Sequence, residues 1–313
     1  MPVFSRFLRY FTAVGRLGSI RKAADELNVS ASAIDRQILN VEAEIGMPLF
    51  ERLPTGLRLT AAGEIMMAAG GRWQKSLGDV RAQIEDLRGL KRGSVDIAII
   101  DALAKGYIPG VVRAIQSRYP GITINLRVLE NDAIHRVIAN GEVDFGIFFE
   151  PRSLRDLTVR AFAEVSLGFV TPAGHPIGQQ DEARFSACVG SPVIVPARPL
   201  AVHQQVAVLE ASNQVSLDKK CTSDNIQMIT SLVLEGIGIG MLTSLDVVTE
   251  VQAGLLAFTR ISDPVLRPMT LALCTATSRP TSYAADIVLR EILAGFAQLG
   301  TAGSVGAHDG NNP

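Results

Sequence analysis

The sequence of 313 residues lacks the long apolar runs that membrane proteins carry. No run approaches the roughly 20 apolar residues of a transmembrane helix. The first residues, MPVFSRFLRYF, also lack the apolar core and the small-residue cleavage site of a signal peptide. We therefore expect a protein without a membrane anchor that stays in the cytoplasm.

Cysteine and histidine are scarce, and neither shows the spacing of a metal site. The GxSxG motif of hydrolases and the P-loop motif are absent from the sequence. The segment GIGIG at 236–240 lacks the rest of a dinucleotide-binding fingerprint, and we interpret its glycines as a place where a helix packs closely on a strand. We predict no metal, no cofactor and no catalytic activity; a cytoplasmic enzyme and a solute-binding protein are the alternatives. The cysteines are interpreted as small core or surface residues, with a redox pair of the first two as the alternative: Cys188, Cys221 and Cys274.

Charge is nearly balanced overall but unevenly distributed along the chain. The net charge of −1 argues against a protein that binds polyanions with its whole surface. Residues 1–92 hold 14 basic and 10 acidic residues, whereas the remainder holds 16 and 21. This asymmetry indicates a basic N-terminal module on an acidic body.

Short helices separated by a tight turn are predicted close to the N-terminus. Apolar residues at helical spacing predict helices over 4–15 and 20–27, the first ended by Gly15 and Gly18, and a third from 31 to about 44. Ser19 and Ser30 are typical N-caps, and Asn28 tolerates the left-handed backbone of a turn. The predicted inward stripe of the third helix is Ile34, Ile38, Val41 and Ile45.

The outer face of the third helix predicts contact with a groove. At roughly 100° per residue from Ile34, Ser32 lies about 160° away and Arg36 about 200° away. Small side chains followed by an arginine suit a helix that enters a DNA groove, so we predict a helix-turn-helix. A solvated surface charge is the alternative for Arg36, and Gln37, at about 300°, points partly inward.

The next segment, PLFERLPTGLRLT at 48–60, predicts a β-hairpin. Its two strands lie near 49–51 and 57–59, with turn residues at 54–56. Beside the third helix, this hairpin forms a wing whose Arg52 and Arg58 reach phosphates or a minor groove.

A helix of about 28 residues is predicted to follow, capped by Thr60. Its apolar residues alternate at spacings of four and three, which is typical of a coiled-coil seam. We expect the seam to pair with a second copy of the chain and form a dimer; packing on the chain's own body is the alternative. The seam comprises Met66, Gly70, Trp73, Leu77, Val80, Ile84 and Leu87.

Residues 94–300 alternate strand-like and helix-like segments, which predicts an α/β body. If the late strand MTLALCTAT returns to the first sheet, the body splits into two lobes around a cleft. Lobe I then comprises about 94–165 and 268–300, and lobe II about 166–267. The small, polar tail at 301–313 is predicted to be disordered. Strands are predicted at VDIAII, ITINLRVL, DFGIFF, VSLGFVT, PVIV and MTLALCTAT, and helices over 108–118, 133–139, 225–235 and 282–298.

Essentially the whole chain resembles the LysR-type transcriptional regulators. The resemblance rests on residues 8–64, LRYFTAVGRLGSIRKAADELNVSASAIDRQILNVEAEIGMPLFERLPTGLRLTAAGE, and on YPGITINLRVLEN, GEVDFGI and GIGIGML. It implies a winged helix-turn-helix at 1–60, a dimerising linker helix at 60–88 and a hinge at 89–93. Residues 94–300 are then a two-lobed effector domain like a periplasmic binding protein.

The resemblance also implies partners and a mechanism. We expect a sequence-specific regulator, dimeric to homotetrameric, that binds an inverted repeat in double-stranded promoter DNA. Contact with RNA polymerase is a further partner that the resemblance allows. A small molecule between the lobes would change their angle and so the spacing of the DNA-binding units. The implied DNA contacts are Ser30, Ala31, Ser32, Asp35, Arg36, Gln37, Arg52 and Arg58.

Two positions depart from the family's usual pattern. At position 31 the family usually has glutamine, whereas this chain has alanine. The Ala31 methyl group cannot hydrogen-bond a base but suits contact with a thymine methyl group. At position 35 the family usually has serine, whereas this chain has aspartate. The Asp35 carboxylate either accepts a hydrogen bond from a cytosine amine or pairs with Arg36 or Lys22.

The cleft residues implied by the family's pattern have mixed charge. They predict an effector that is a small organic acid with a second polar or amino group, and an aromatic one given Phe148. For Asp101, the alternatives are a cap on the helix over 108–118 and a salt bridge to Lys105. The implied effector-binding residues are Asp101, Ala102, Lys105, Glu130, Asn131, Phe148, Arg198, His203 and Asn225.

Overall fold

The computed structural model describes residues 6–54, 56–86, 93–151, 155–277 and 281–300, without the side chains at 75, 76, 79 and 81–86. The chain divides after Gly89 into two compact units. Four parts of the sequence predictions lie outside the described residues: the start of the first helix, Leu87, most of the predicted hinge and the tail at 301–313. No helix within the described ranges is both long and apolar enough to span a membrane.

In the part that the structure describes, the first unit consists of four helices and a two-stranded hairpin around its own core. Phe11, Val14 and Ile34 are fully buried at its centre. Its elements are α1 (Arg6–Leu17), α2 (Ile20–Leu27), α3 (Ala31–Ile45), β1 (Phe50–Leu53), β2 (Gly56–Leu59) and α4 (Ala61–Asp86).

The boundaries of α2 and α3 follow from the polar residues that precede them. Ser19 Oγ accepts a hydrogen bond from the Lys22 amide, and Ser30 Oγ accepts one from the Ala33 amide at 3.3 Å. Between them Asn28 adopts φ 55°, the left-handed conformation that the turn requires. The predicted helix–turn–helix geometry is therefore confirmed.

Two details of these helices were predicted incorrectly. Gly15 does not end α1, which continues to Leu17. The glycine is needed for packing instead, because a Cβ at Gly15 would lie 2.1 Å from Met67 Cε on α4. Ile45 is 42% exposed instead of facing inward, because the last turn of α3 extends beyond the buried cluster.

The long helix α4 uses part of its apolar seam on its own domain. Thr60 Oγ1 accepts from the Gly63 amide at 3.1 Å and caps the helix. Met66 and Trp73 pack against the core of the first unit, and Gly70 is buried where a Cβ would lie 2.6 Å from Leu8 Cδ1. These three residues therefore contact the chain's own core, and their pairing with a second copy stays a prediction.

The C-terminal part of the seam is more open. Leu77 is half-buried and Val80 is 50% exposed. The side chain of Ile84 lies outside the described residues.

Within the described residues the second unit contains two sheets, and the chain crosses between them twice, from Val165 to Leu167 and from Ile261 to Met269. The first has the order β4-β3-β5-β13-β6, with β3 parallel to β4 and β5, and β13 antiparallel to β5 and β6. The second has the order β10-β9-β11-β7-β12-β8. The strands are β3 (Gly93–Ile99), β4 (Ile122–Val128), β5 (Phe145–Phe149), β6 (Leu157–Val165), β7 (Leu167–Pro172), β8 (Glu182–Ala183), β9 (Pro192–Pro196), β10 (Asp218–Ser223), β11 (Ile239–Thr243), β12 (Leu256–Ile261) and β13 (Met269–Ala276).

Because β13 returns to the first sheet, the second unit has two lobes, as the late strand MTLALCTAT predicted. The sequence did not predict the strands β6, β8, β10 and β12 or the helices at Val202–Asn213 and Val248–Gln252. Gly93, the last residue of the predicted hinge, instead begins β3. The helices are α5 (Tyr107–Arg118), α6 (Asn131–Ala139), α7 (Val202–Asn213), α8 (Ile226–Leu234), α9 (Val248–Gln252) and α10 (Tyr283–Phe296).

The glycines of GIGIG allow close packing. A Cβ at Gly238 would lie 2.6 Å from the Pro192 carbonyl oxygen, and one at Gly240 would lie 3.0 Å from Val233 Cγ2. Strand β11 and the glycine directly before it therefore pack tightly against β9 and the helix at Ile226–Leu234, as the sequence indicated.

The cysteines are free thiols. Cys188 and Cys274 are buried, and burial raises the pKa of both thiols to about 11, so they stay protonated and unreactive near neutral pH.

Candidate functional site

The outer face of α3 carries exposed side chains that suit contact with DNA. Ala31, Ser32 and Arg36 are exposed, whereas Asp35 and Gln37 are half-buried. Arg36 forms no ion pair with a described residue, so its guanidinium is available to a phosphate or base edge. Ser30 is exposed, but its hydroxyl caps the helix.

Both arginines of the wing, the β1–β2 hairpin, are engaged in ion pairs. Arg52 Nη2 lies 2.7 Å from Asp35 Oδ1, and Arg58 Nη2 lies 2.6 Å from Glu51 Oε2. The ion pair expected for Asp35 is present, but neither Arg36 nor Lys22 is its partner. The wing brings Arg52 to the helix, a contact between residues 17 positions apart that helical spacing does not reveal.

The cleft between the two lobes contains an inner cavity of about 280 Å³. Its wall combines the ends of β3 and β5 with residues before α6, α7 and α8. It is lined by Ile100, Asp101, Ala102, Val128, Leu129, Glu130, Asn131, Phe149, Pro199, Leu200, Ala201, Val202, Asp224, Asn225, Ile226, Thr243 and Asp246.

An adjoining outer cavity measures about 1020 Å³ and shares part of this wall, including Glu130, Asn131 and Phe149. It adds basic side chains from the second lobe and its edge: Arg198, His203 and Arg267. Besides Glu130, two further acidic side chains line it, namely Asp132 and Glu150. The cleft therefore has mixed charge, with its basic groups confined to the outer cavity.

Seven of the nine predicted effector residues line these cavities. Asp101, Ala102 and Asn225 line the inner cavity, Arg198 and His203 line the outer one, and Glu130 and Asn131 line both.

Two predicted effector residues lie elsewhere. Phe148 is 2% exposed and belongs to the core; the next residue, Phe149, lines the cleft because side chains alternate along a strand. Lys105 is not among the residues that line either cavity; its Nζ forms an ion pair with Glu250 Oε1 at 2.6 Å.

The alternatives for Asp101 are also wrong. It begins a short 3₁₀ helix at Asp101–Leu103, whereas α5 begins after Gly106, which lies at its N-cap. Lys105 pairs with Glu250, and no described residue forms an ion pair with Asp101. Its carboxylate is left to face the inner cavity.

Three of the polar residues in the wall also hold the wall in place. The Asn131 amide donates to the Phe149 carbonyl oxygen and accepts from the Phe149 amide. Asn225 Oδ1 caps α8 by accepting from the Met228 amide at 2.9 Å, and His203 Nδ1 lies 3.0 Å from the Pro196 carbonyl oxygen.

Asp246 is a cleft residue that sequence reasoning missed. It is 5% exposed, and its Oδ2 accepts hydrogen bonds from the Thr243 amide at 2.7 Å and from Thr243 Oγ1 at 2.8 Å. Burial, together with the charge of Asp101, raises the pKa of the Asp246 carboxyl to about 6. The available signal was the capping-box spacing of Thr243 and Asp246.

Glu250 responds to its surroundings in the opposite direction. Burial raises its pKa, but hydrogen bonds from Lys105 and Thr249 outweigh that effect and lower it overall. Glu250 is therefore ionised near neutral pH, and its ion pair with Lys105 joins the two lobes.

Comparison with known families assigns both units. The family model described as a bacterial regulatory helix-turn-helix protein of the lysR family matches residues 5–64, and the model described as the LysR substrate binding domain matches residues 88–297. The chain belongs to the LysR family. It is a DNA-binding transcriptional regulator with a LysR substrate-binding domain.

Individual LysR-family proteins match most of the chain. The HTH-type transcriptional activator CmpR of Synechocystis sp. is 27% identical over 233 residues, which cover 74% of this chain and 76% of CmpR. Full-length OxyR from Pseudomonas aeruginosa, a variant, has a TM-score of 0.70 at 17% identity and covers 96% of this chain and 97% of its own. Full-length CbnR complexed with its target DNA has a TM-score of 0.64 at 20% identity, with 92% and 98% covered. These structures show a shared fold.

Proposed function

We propose that this regulator reads an inverted repeat in promoter DNA with α3 and the wing of two or more copies. The observation that carries the proposal is the outer face of α3, where Arg36 is exposed and unpaired within the described residues beside small side chains. Phosphate contacts supply affinity, and contacts to base edges supply the sequence preference.

We propose further that the copies associate through the C-terminal part of α4, as a dimer that builds a homotetramer. Leu77 and Val80 support this because they continue the heptad spacing beyond the part that covers the chain's own core. Charge placed in this seam should weaken association. Val80→Glu is therefore expected to shift sedimentation of the full chain toward smaller species.

In the proposed mechanism, a small effector binds in the cleft and changes the angle between the lobes. The cavities support this because residues from both lobes line them. The altered angle changes the spacing of the DNA-binding units and the way they meet RNA polymerase. Such a regulator acts where the chromosome is, and we place it in the cytoplasm.

Fluorescence anisotropy on the DNA upstream of the protein's own gene tests the DNA-binding proposal. Wild type should bind this DNA in preference to random sequence, and Arg36→Ala should weaken binding and reduce the slope of log affinity against log salt by about 1. Arg113→Ala is the matched control, because Arg113 is also an exposed helical arginine but lies in the second unit. Absence of DNA binding at low salt would refute the proposal.

A further inference from the structure

The charged side chains among the described residues that line the inner cavity are all negative. Four carboxylates line it, and none forms an ion pair with a described residue: Asp101, Glu130, Asp224 and Asp246. No lysine, arginine or histidine is among the described residues that line this cavity. An anionic group placed here would be repelled, and a cationic group would be attracted.

Asp246 adds an unused acceptor to this wall. It is 5% exposed, and both of its hydrogen bonds, from the Thr243 amide and hydroxyl, go to Oδ2. Oδ1 accepts no hydrogen bond from any described residue. Oδ1 is not one of the fully buried polar atoms that lack a partner in the described part of the chain, so it is open to the cavity and presents an acceptor to a bound donor.

The chain's own positive groups are directed away from this cavity. Lys105, four residues after Asp101, pairs with Glu250 at 2.6 Å. Helix N-termini would attract an anion, but here they already have carboxylates beside them: Glu130 directly precedes α6, and Asp224 directly precedes the N-cap of α8. The wall is thus arranged against an anionic ligand.

A metal ion is not the cation that this wall suits. Within the described ranges, no group of three or more His, Cys, Asp or Glu residues is arranged to hold a metal. The cavity also has an apolar lining, formed in part by Ile100, Phe149, Val202 and Ile226. These features favour an organic cation with an apolar body.

We propose that the effector carries a protonated amine, which binds in the inner cavity against Asp246 and Asp101. The inference rests on the proposed role of the cleft as the effector site, and it deepens that role by naming the effector's chemical class. The sequence predicted a small organic acid with a second polar or amino group; the cavity makes the amino group the anchor. The remainder of the molecule extends to the outer cavity, toward Arg198, His203 and Arg267.

Calorimetry of the full chain with three linear five-carbon compounds tests the proposal. The probes are 1,5-diaminopentane, 5-aminopentanoate and pentanedioate, which carry an ammonium at both ends, an ammonium and a carboxylate, and a carboxylate at both ends. Saturable binding is expected for both amines and not for pentanedioate. Because a hydrogen bond to a charged group is lost, Asp246→Asn and Asp101→Asn should each weaken amine binding about tenfold or more.

Asp218→Asn is the matched control, because Asp218 is an exposed carboxylate on β10, outside the cleft, and should leave amine binding unchanged. Asp101→Asn is expected to fold like wild type, because the Asp101 side chain makes no hydrogen bond to a described residue. Weaker binding in this variant would therefore reflect the lost charge and not a misfolded protein. Amine binding that is unchanged in both variants would overturn the proposal. Equal or tighter binding of pentanedioate, or no amine binding at millimolar concentration, would also overturn it.

Anisotropy with promoter DNA on the same samples separates this inference from the proposed function. A protein that binds the DNA but no amine overturns the inference and leaves the regulator proposal intact. A protein that binds amines but no DNA supports the inference and overturns the regulator proposal.

Discussion

Asp35 on α3 and Arg52 on the wing form an ion pair, with 2.7 Å between Oδ1 and Nη2. The Arg52 side chain is 64% exposed and that of Asp35 is 35% exposed, so the pair contributes at most about 1 kcal/mol to folding. In the proposed mode of DNA binding we expect a larger effect on affinity, because the pair restrains one of the wing arginines and places a negative charge on the surface that would face the phosphates.

Replacing Asp35 should therefore strengthen nonspecific DNA binding. Asp35→Ser releases Arg52 and removes the negative charge, so we expect affinity for random duplex DNA to rise up to about tenfold at low salt, with a gain that fades as salt increases. Anisotropy over a salt series measures this change. Arg52→Ala combined with Asp35→Ser should remove most of the gain. If promoter affinity falls while affinity for random DNA stays constant, Asp35 reads a base instead.

Two adjacent glycines of α4 should respond differently to the same substitution. Gly71→Ala places its Cβ in open space and gains helix propensity, so it should raise the free energy of unfolding by up to about 1 kcal/mol. Gly70→Ala gains the same propensity but places a Cβ 2.6 Å from Leu8 Cδ1 in the core. We expect Gly70→Ala to be less stable than Gly71→Ala by about 1–2 kcal/mol.

Denaturant unfolding followed by tryptophan fluorescence measures this difference in the first unit, because Trp73 is the single tryptophan of the chain and packs against that core. Equal stabilities for the two variants would mean that Leu8 moves aside without loss. The part of α4 around Gly70 would then not be fixed against the chain's own domain.

Features set by neighbours along the chain were predictable from the sequence, whereas contacts between distant segments were not. Caps at Ser19 and Ser30 depend on residues within one turn, so their sequence pattern was sufficient. The partner of Lys105 lies 145 positions away, and no local pattern identifies it. Phe148 and Phe149 are both apolar, so only the strand's register decides which one faces the cleft.

The pair of Lys105 and Glu250 should stabilise the two-lobed unit. It joins the segment before α5 to α9, and the Glu250 side chain is only 13% exposed. Lys105→Met leaves that carboxylate without its cation, so we expect the free energy of unfolding at neutral pH to fall by about 1–3 kcal/mol. Lys219→Met removes a similar but more exposed pair with Glu210, and should cost less than about 1 kcal/mol.

A double-mutant cycle with Glu250→Gln measures the coupling in this pair. Because the pKa of Glu250 is lowered in the folded state, the stabilisation is present above its unfolded value of 4.5 and is lost as pH falls through the lowered value. Equal effects of the two lysine substitutions would show that the contact between the lobes has no special weight.

Asp246 should make the fold less stable as pH rises. Its pKa is about 6 in the folded protein against 3.8 for an unperturbed aspartate, so stability from the bound proton is fully present only below pH 3.8 and is lost as pH rises through 6. Above pH 6 the buried charge destabilises the fold by up to about 3 kcal/mol. Asp246→Asn, which carries no charge, should be more stable than wild type by up to that amount.

Urea unfolding of wild type and Asp246→Asn across a pH series checks this expectation. The difference in unfolding free energy should be largest above pH 6 and should shrink toward zero as pH falls below 3.8, because the wild-type carboxyl then becomes protonated in both the folded and the unfolded state. Asp224→Asn controls for the general loss of a negative charge in the cleft, since Asp224 is exposed. A difference that stays constant with pH would mean that the asparagine acts through packing around Thr243, and not through the buried charge.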